Sequence, residues 1–124
     1  MTKTRPKHLD LAKIRMPVSA IVSILHRISG AGLFLMLPFM LYLLQASLGS
    51  PDSYVRYRAA IATPLTKLIL IGLLWAFLHH LFAGIRFLAL DLHYGVELQA
   101  SRMSSRLVLA LSLLLTAALG VLVW

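Results

Sequence analysis

Three stretches of the chain are apolar for far longer than a soluble helix or strand requires. The first begins near Pro17 and runs to about Leu48, with no charge between Arg27 and Asp52. The second runs from about Pro64 to Asp91, uncharged between Lys67 and Arg86, and the third from about Ser104 to Trp124, uncharged after Arg106. A membrane-crossing helix needs about 20 mostly apolar residues. The pattern therefore predicts an all-α membrane protein with three transmembrane helices over 17–48, 64–91 and 104–124. Between them lie a 49–63 loop and a 92–103 loop, and a polar arm over 1–16 precedes them. Pro17 suits a first helical turn, and Thr63-Pro64 reads as a cap followed by a helix-starting proline. Ser50-Pro51-Asp52 reads as a turn. Pro38 inside the first span is a candidate kink. The first run starts too late, is too long and carries Arg27 too deep to read as a cleaved signal peptide.

Composition narrows this further. Of the 124 residues 60% are hydrophobic and 13% charged, about half the charged share of an average soluble domain. The mean hydropathy is +0.86. Disorder, which needs low hydrophobicity, is excluded. Twelve Lys and Arg against four Asp and Glu leave a charge of +8. Because the basic residues flank apolar runs, they point to lipid headgroups and membrane orientation rather than to nucleic acid. Lys3, Arg5, Lys7, Lys13, Arg15, Arg102 and Arg106 oppose Arg56, Arg58 and Lys67, which predicts a cytoplasmic N-terminus, a periplasmic 49–63 loop and a cytoplasmic 92–103 loop. The chain has no Cys, which rules out disulfides, thiolate-held iron–sulfur clusters and a Cys nucleophile here. No phosphate loop, zinc-binding spacing or hydrolase triad is present, and any soluble chemistry is expected from partner chains.

Ionisable groups inside a span are costly, at about 2.5–3.5 kcal/mol each on insertion scales, and so mark candidate sites. Ser19, Ser23, His26 and Arg27 share one face of the first helix, with Gly30 one turn beyond His26. Simple small-residue packing with Arg27 reaching the headgroups explains the glycines, but a binding role better explains Ser23, His26 and Arg27 together. On the second helix His79 and His80 point about 100° apart. The His80 face continues through Gly84, Phe87 and Asp91; the His79 face continues through Ala83, Arg86 and His93. Gly84 clears room for a flat ring beside His80, as a haem ligand would need, whereas a hydrogen-bonded core histidine is the plain alternative. Counting in from Pro17 and Asp91 at 1.5 Å per residue puts His26 and His80 at similar depth. A cofactor with anionic groups is then within reach of His80 on its metal and of His26, Arg27 or Arg86 on its carboxylates. Ser23 and Arg27 suit a quinone carbonyl. Asp91 with Arg86 reads as an ion pair, Trp75 as a packing or lipid-facing residue, and His93 and Tyr94 as interfacial.

These residues also carry a family likeness. Arg5-Pro6 followed by His8-Leu9-Asp10-Leu11, then Ser23-Ile24-Leu25-His26-Arg27-Ile28-Ser29-Gly30, then His80-Leu81-Phe82-Ala83-Gly84-Ile85-Arg86 with Asp91 beyond, resemble the membrane-anchor cytochrome b subunits of succinate dehydrogenase. The resemblance covers almost the whole chain. It implies His80 as an axial ligand of a b-type haem, Ser23 and Arg27 at a ubiquinone site, and His26 with Arg27 on the haem propionates, with Arg86, Asp91 and Gly84 in support. It also implies a second haem ligand from another small membrane subunit, and docking of iron–sulfur and flavoprotein subunits at the cytoplasmic face of a bacterial inner membrane. One position departs: Phe87 stands where the family's second signature has His. His79 is the runner-up ligand. A fumarate reductase anchor is the near alternative, and a small transporter or channel subunit lined by Arg27, His80 and Arg86 the distant one.

Overall fold

A computed structural model describes residues 13–124; the arm residues 1–12, including the Arg5–Leu11 likeness, lie outside the described residues. The described residues form four helices and no strand: α1 Val18–Leu48, α2 Pro51–Ala62, α3 Pro64–Asp91 and α4 Leu98–Val123. Helices α1, α3 and α4 are long and apolar enough to cross a membrane. At 1.5 Å per residue they extend about 46, 42 and 39 Å, beyond the ~30 Å hydrocarbon layer, so each carries its ends into the headgroup zone. Their outer faces expose large apolar side chains such as Phe34, Leu35 and Val121, an arrangement suited to acyl chains and not to water.

Local sequence sets the boundaries. Thr63 caps α3, its Oγ1 accepting from the Thr66 amide at 3.3 Å, with Pro64 in the first turn. α1 continues through Pro38 without a break. Two boundaries differ from the sequence expectation. The 49–63 loop is mostly helix α2, because Ser50 is a helix cap, its Oγ accepting from the Ser53 amide at 3.2 Å, and Pro51 and Asp52 follow in the first turn. The third long helix starts at Leu98 and not near Ser104. Apolarity marks the lipid-facing part of a helix; it is blind to a polar first turn that continues beyond it. The α3–α4 connection is therefore short. It is closed by His93 at φ 63° and Gly95 at φ 71°, with the Tyr94 amide donating to the Ala89 carbonyl at 2.9 Å. This left-handed helix ending gives His93 a terminating role.

α3 packs against both α1 and α4, and α1 also touches α4. Val22, Ala83 and Val108 meet where the three helices converge. α4 turns a stripe of small hydroxyl residues inward: Ser105, Ser112 and Thr116 are buried. Their hydroxyls donate to their own helix, at Ser101 O (2.7 Å), Leu109 O (3.0 Å) and Ser112 O (2.6 Å). Small side chains satisfied in this way let helices approach closely in lipid, where no hydrophobic drive assembles them.

Candidate functional site

The seam between α1 and α3 gathers the two histidines that the depth count matched. The His26 and His80 rings stack at 4.1 Å between centroids, 10° from parallel. Each lies over a glycine of the opposite helix. A Cβ on Gly30 would come within 2.7 Å of His80 Cε1, and one on Gly84 within 3.6 Å of His26 Nε2. Position 26 pairs with 84 and position 30 with 80, so α1 and α3 are antiparallel. The room that Gly84 clears is taken by the His26 ring and not by a ring lying on His80. Phe87 closes the seam, its ring tilted against His26 at 5.2 Å.

His80 is anchored at one nitrogen. Its Nδ1 lies 3.0 Å from the His26 carbonyl oxygen and 3.3 Å from Ser29 Oγ. The Ser29 hydroxyl itself donates to that carbonyl at 2.9 Å. Ser29 is only 5% exposed. Sequence reasoning assigned Ser29 no role of its own beyond the 23–30 likeness; its place three residues after His26 was the available signal.

His79 has the opposite surroundings. It is fully buried, and both ring nitrogens, like the Trp75 indole nitrogen, lack a hydrogen-bond partner of good geometry, although the Val22 backbone lies beside the imidazole. Its ring stacks on Trp75 at 5.3 Å, so Trp75 packs inward rather than facing lipid. The 100° offset between adjacent helical residues thus sends one histidine into the core and the other into the seam.

Arg86 is 7% exposed and is directed at α4. Its Nε donates to Ser104 Oγ at 3.0 Å, and its Nη2 to Ser101 Oγ at 2.9 Å and Ser101 O at 3.3 Å. The expected ion pair with Asp91 is not formed. Asp91 is exposed at the end of α3, whereas the buried face of α3 turns Arg86 towards the serines. The Arg86 guanidinium also lies over the Phe87 ring, 5.4 Å from its centroid, and Phe87 in turn packs on His26. Ser23 is half-buried and Arg27 exposed on the outer flank of α1. Among the described residues neither side chain makes a hydrogen bond, so neither donor is committed there. No cluster of three or more metal-ligating side chains occurs among the described residues.

Long apolar helices that turn imidazoles, an arginine and hydroxyls into their seams define a helical protein of the membrane-embedded class. Residues 1–119 match the family described as the succinate dehydrogenase/fumarate reductase transmembrane subunit, and the chain belongs to that family. Among its relatives, the succinate dehydrogenase cytochrome b556 subunit of Coxiella burnetii is 40% identical over 125 residues, covering all of both chains. That of Paracoccus denitrificans is 34% identical over 111 residues, 90% of this chain and 85% of the relative. That of Rickettsia felis is 30% identical over 128 residues, 98% of this chain and all of the relative.

Proposed function

We propose that the chain is a haem b- and quinone-binding anchor of a respiratory succinate:quinone oxidoreductase in a bacterial inner membrane. Its partners are a second small membrane subunit, an iron–sulfur subunit and a flavoprotein subunit. Succinate loses two electrons and two protons on the flavoprotein to give fumarate. Ubiquinone takes up two electrons and two protons at the membrane to give ubiquinol. The relatives quoted above are all named for succinate dehydrogenase, which favours this direction over fumarate reduction.

The observation that carries the reading is the α1–α3 seam. His80 sits there with Nδ1 engaged and its other nitrogen uncommitted, as a haem ligand requires. His79, walled into the core against Trp75, would need the helices to part before iron could reach it. The residues present would therefore fit a haem held by His80, with His26 and Arg27 for its propionates and a further ligand supplied by the partner membrane subunit. Such a haem would supply one-electron storage. The chain's own contribution is binding and electrostatics. Arg27 and Ser23, a cation and a hydroxyl one turn apart on α1, suit hydrogen bonding to a quinone carbonyl and stabilisation of negative charge as it develops on oxygen. Basic residues at the start of α1 and in the first turns of α4 favour the cytoplasmic side for this end of the bundle, where the iron–sulfur subunit docks. Arg86 and Gly84 support the site by holding α3 against α4 and against α1, and Asp91 lies at the rim.

The test uses the whole complex in mild detergent. Arg27→Leu is expected to lower succinate-driven quinone reduction while dye-linked succinate oxidation survives, and His80→Leu to remove or alter the haem absorbance. Unchanged quinone reduction in the first variant contradicts the quinone assignment, and an unaltered haem spectrum in the second contradicts the ligand assignment.

A further inference from the structure

We infer that the His26 carbonyl and the Ser29 hydroxyl, reachable only because residue 30 is glycine, form a cradle that fixes the proton of His80 on Nδ1 and leaves the Nε2 lone pair free to bind a metal. This deepens the proposed function and rests on its assignment of His80 as the haem ligand. A backbone carbonyl accepts and cannot donate, so the 3.0 Å contact requires Nδ1 to carry the hydrogen. The Ser29 hydroxyl directs its own hydrogen to the same carbonyl at 2.9 Å. Its lone pairs are thus left to share the His80 N–H at 3.3 Å. In a neutral imidazole with Nδ1 protonated, the only basic nitrogen is Nε2, the atom that binds iron.

Gly30 makes the approach possible. A Cβ at residue 30 would lie 2.7 Å from Cε1 and 3.2 Å from Nδ1 of His80. Any larger residue pushes the ring off the carbonyl. The cradle also restricts rotation, since the ring is pinned at one edge and stacked on His26 across one face. Acceptors on the far nitrogen of a ligating imidazole make it a stronger electron donor and hold its plane, and losing such a partner typically weakens metal binding 10- to 100-fold. Stronger donation favours ferric over ferrous iron. Ser29 is therefore a positioning residue that acts through His80.

The experiment is a redox titration of haem absorbance, with low-temperature electron paramagnetic resonance, on the assembled complex carrying Ser29→Ala, Ser29→Thr, Gly30→Ala or His80→Leu. Ser29→Ala is expected to keep its haem, shift its resonance and raise its midpoint potential. The ferrous-to-ferric ratio at a fixed potential should rise at least threefold, about 28 mV at 59 mV per tenfold for one electron. Ser29→Thr, which restores the hydroxyl, should return both readouts to those of the unmodified complex. Gly30→Ala should lose about ten-fold or more in haem affinity. Unchanged potential and resonance in both Ser29→Ala and Gly30→Ala, alongside loss of haem in His80→Leu, overturn the cradle and leave the ligand assignment standing. An unaltered haem in His80→Leu overturns the ligand assignment itself. The unmodified complex provides a readout that needs no variant. Electron–nuclear double resonance after exchange into D2O should reveal one exchangeable proton on the remote nitrogen of the axial imidazole, and its absence overturns the cradle.

Discussion

Replacing His79 by leucine should leave the protein as stable as before, or more so, although His79 is the most deeply buried ionisable side chain of α3. The imidazole is 0% exposed and neither ring nitrogen has a hydrogen-bond partner. A buried polar group left unsatisfied costs about 1–3 kcal/mol, so an unpaired donor and acceptor together cost about 2–6 kcal/mol, less whatever the neighbouring Val22 backbone recovers. Leucine removes that cost. It forfeits the stacking on Trp75, worth about 0.5–1.5 kcal/mol, and introduces a shape mismatch of less than about 1.5 kcal/mol. These figures bracket a loss of about 1 kcal/mol and a gain of about 5.5 kcal/mol, the upper end falling by whatever the Val22 backbone recovers, so the centre of the range is a gain. The assay is thermal unfolding of the assembled complex in detergent, with the haem spectrum recorded on the same sample. A transition at or above that of the unmodified complex, with the spectrum intact, is the expected result. A loss of more than about 2 kcal/mol refutes the claim that the imidazole is unsatisfied, and a spectrum as damaged as that of His80→Leu refutes the division of roles between the two histidines.

Arg86→Ala should destabilise the complex by about 2–4 kcal/mol, since it deletes three hydrogen bonds to Ser101 and Ser104 and leaves a void between α3 and α4; thermal unfolding measures this, and the haem spectrum should not move. Ser23→Ala should slow quinone reduction by about ten-fold, less than the 10²–10³-fold expected on losing the charged donor of Arg27, and steady-state kinetics with dye-linked oxidation as the control tests the order. Thr63→Ala removes the α3 cap and should cost about 1 kcal/mol without affecting either electron transfer or haem, as unfolding and activity measured together will reveal.

The parts of the fold that the sequence made legible are those that lipid dictates. Charge-free runs of this length have few structural options in a membrane, and three of them appear as α1, α3 and α4. Segments outside the lipid were harder to read. Ser50-Pro51-Asp52 satisfies both a turn and a helix start, and only the run that follows, Tyr54 to Ile61 with Arg56 and Arg58 inside it, distinguishes the two. The same holds for the first turn of α4, polar enough to pass for a loop. At the site, helical spacing separated the His79 face from the His80 face, and the depth count put His26 and His80 at similar depth, without foreseeing that their rings stack. The partner of Arg86 was not legible, because a buried guanidinium with nearby Asp91 invites an ion pair, whereas the serines it bonds lie 15 and 18 residues away on another helix. Ser29 was missed for a related reason. Its importance lies in a contact across 51 residues of sequence, which no local pattern reports.

Whether the α1–α3 seam presents His80 to a haem is decided by a high-resolution map of the assembled complex. The expected map has porphyrin iron bonded to Nε2 of His80, with Nδ1 still held at the His26 carbonyl and Arg27 turned towards a quinone pocket shared with a partner chain. Iron held by other side chains, with His80 facing acyl chains and Arg27 far from any quinone, would contradict it.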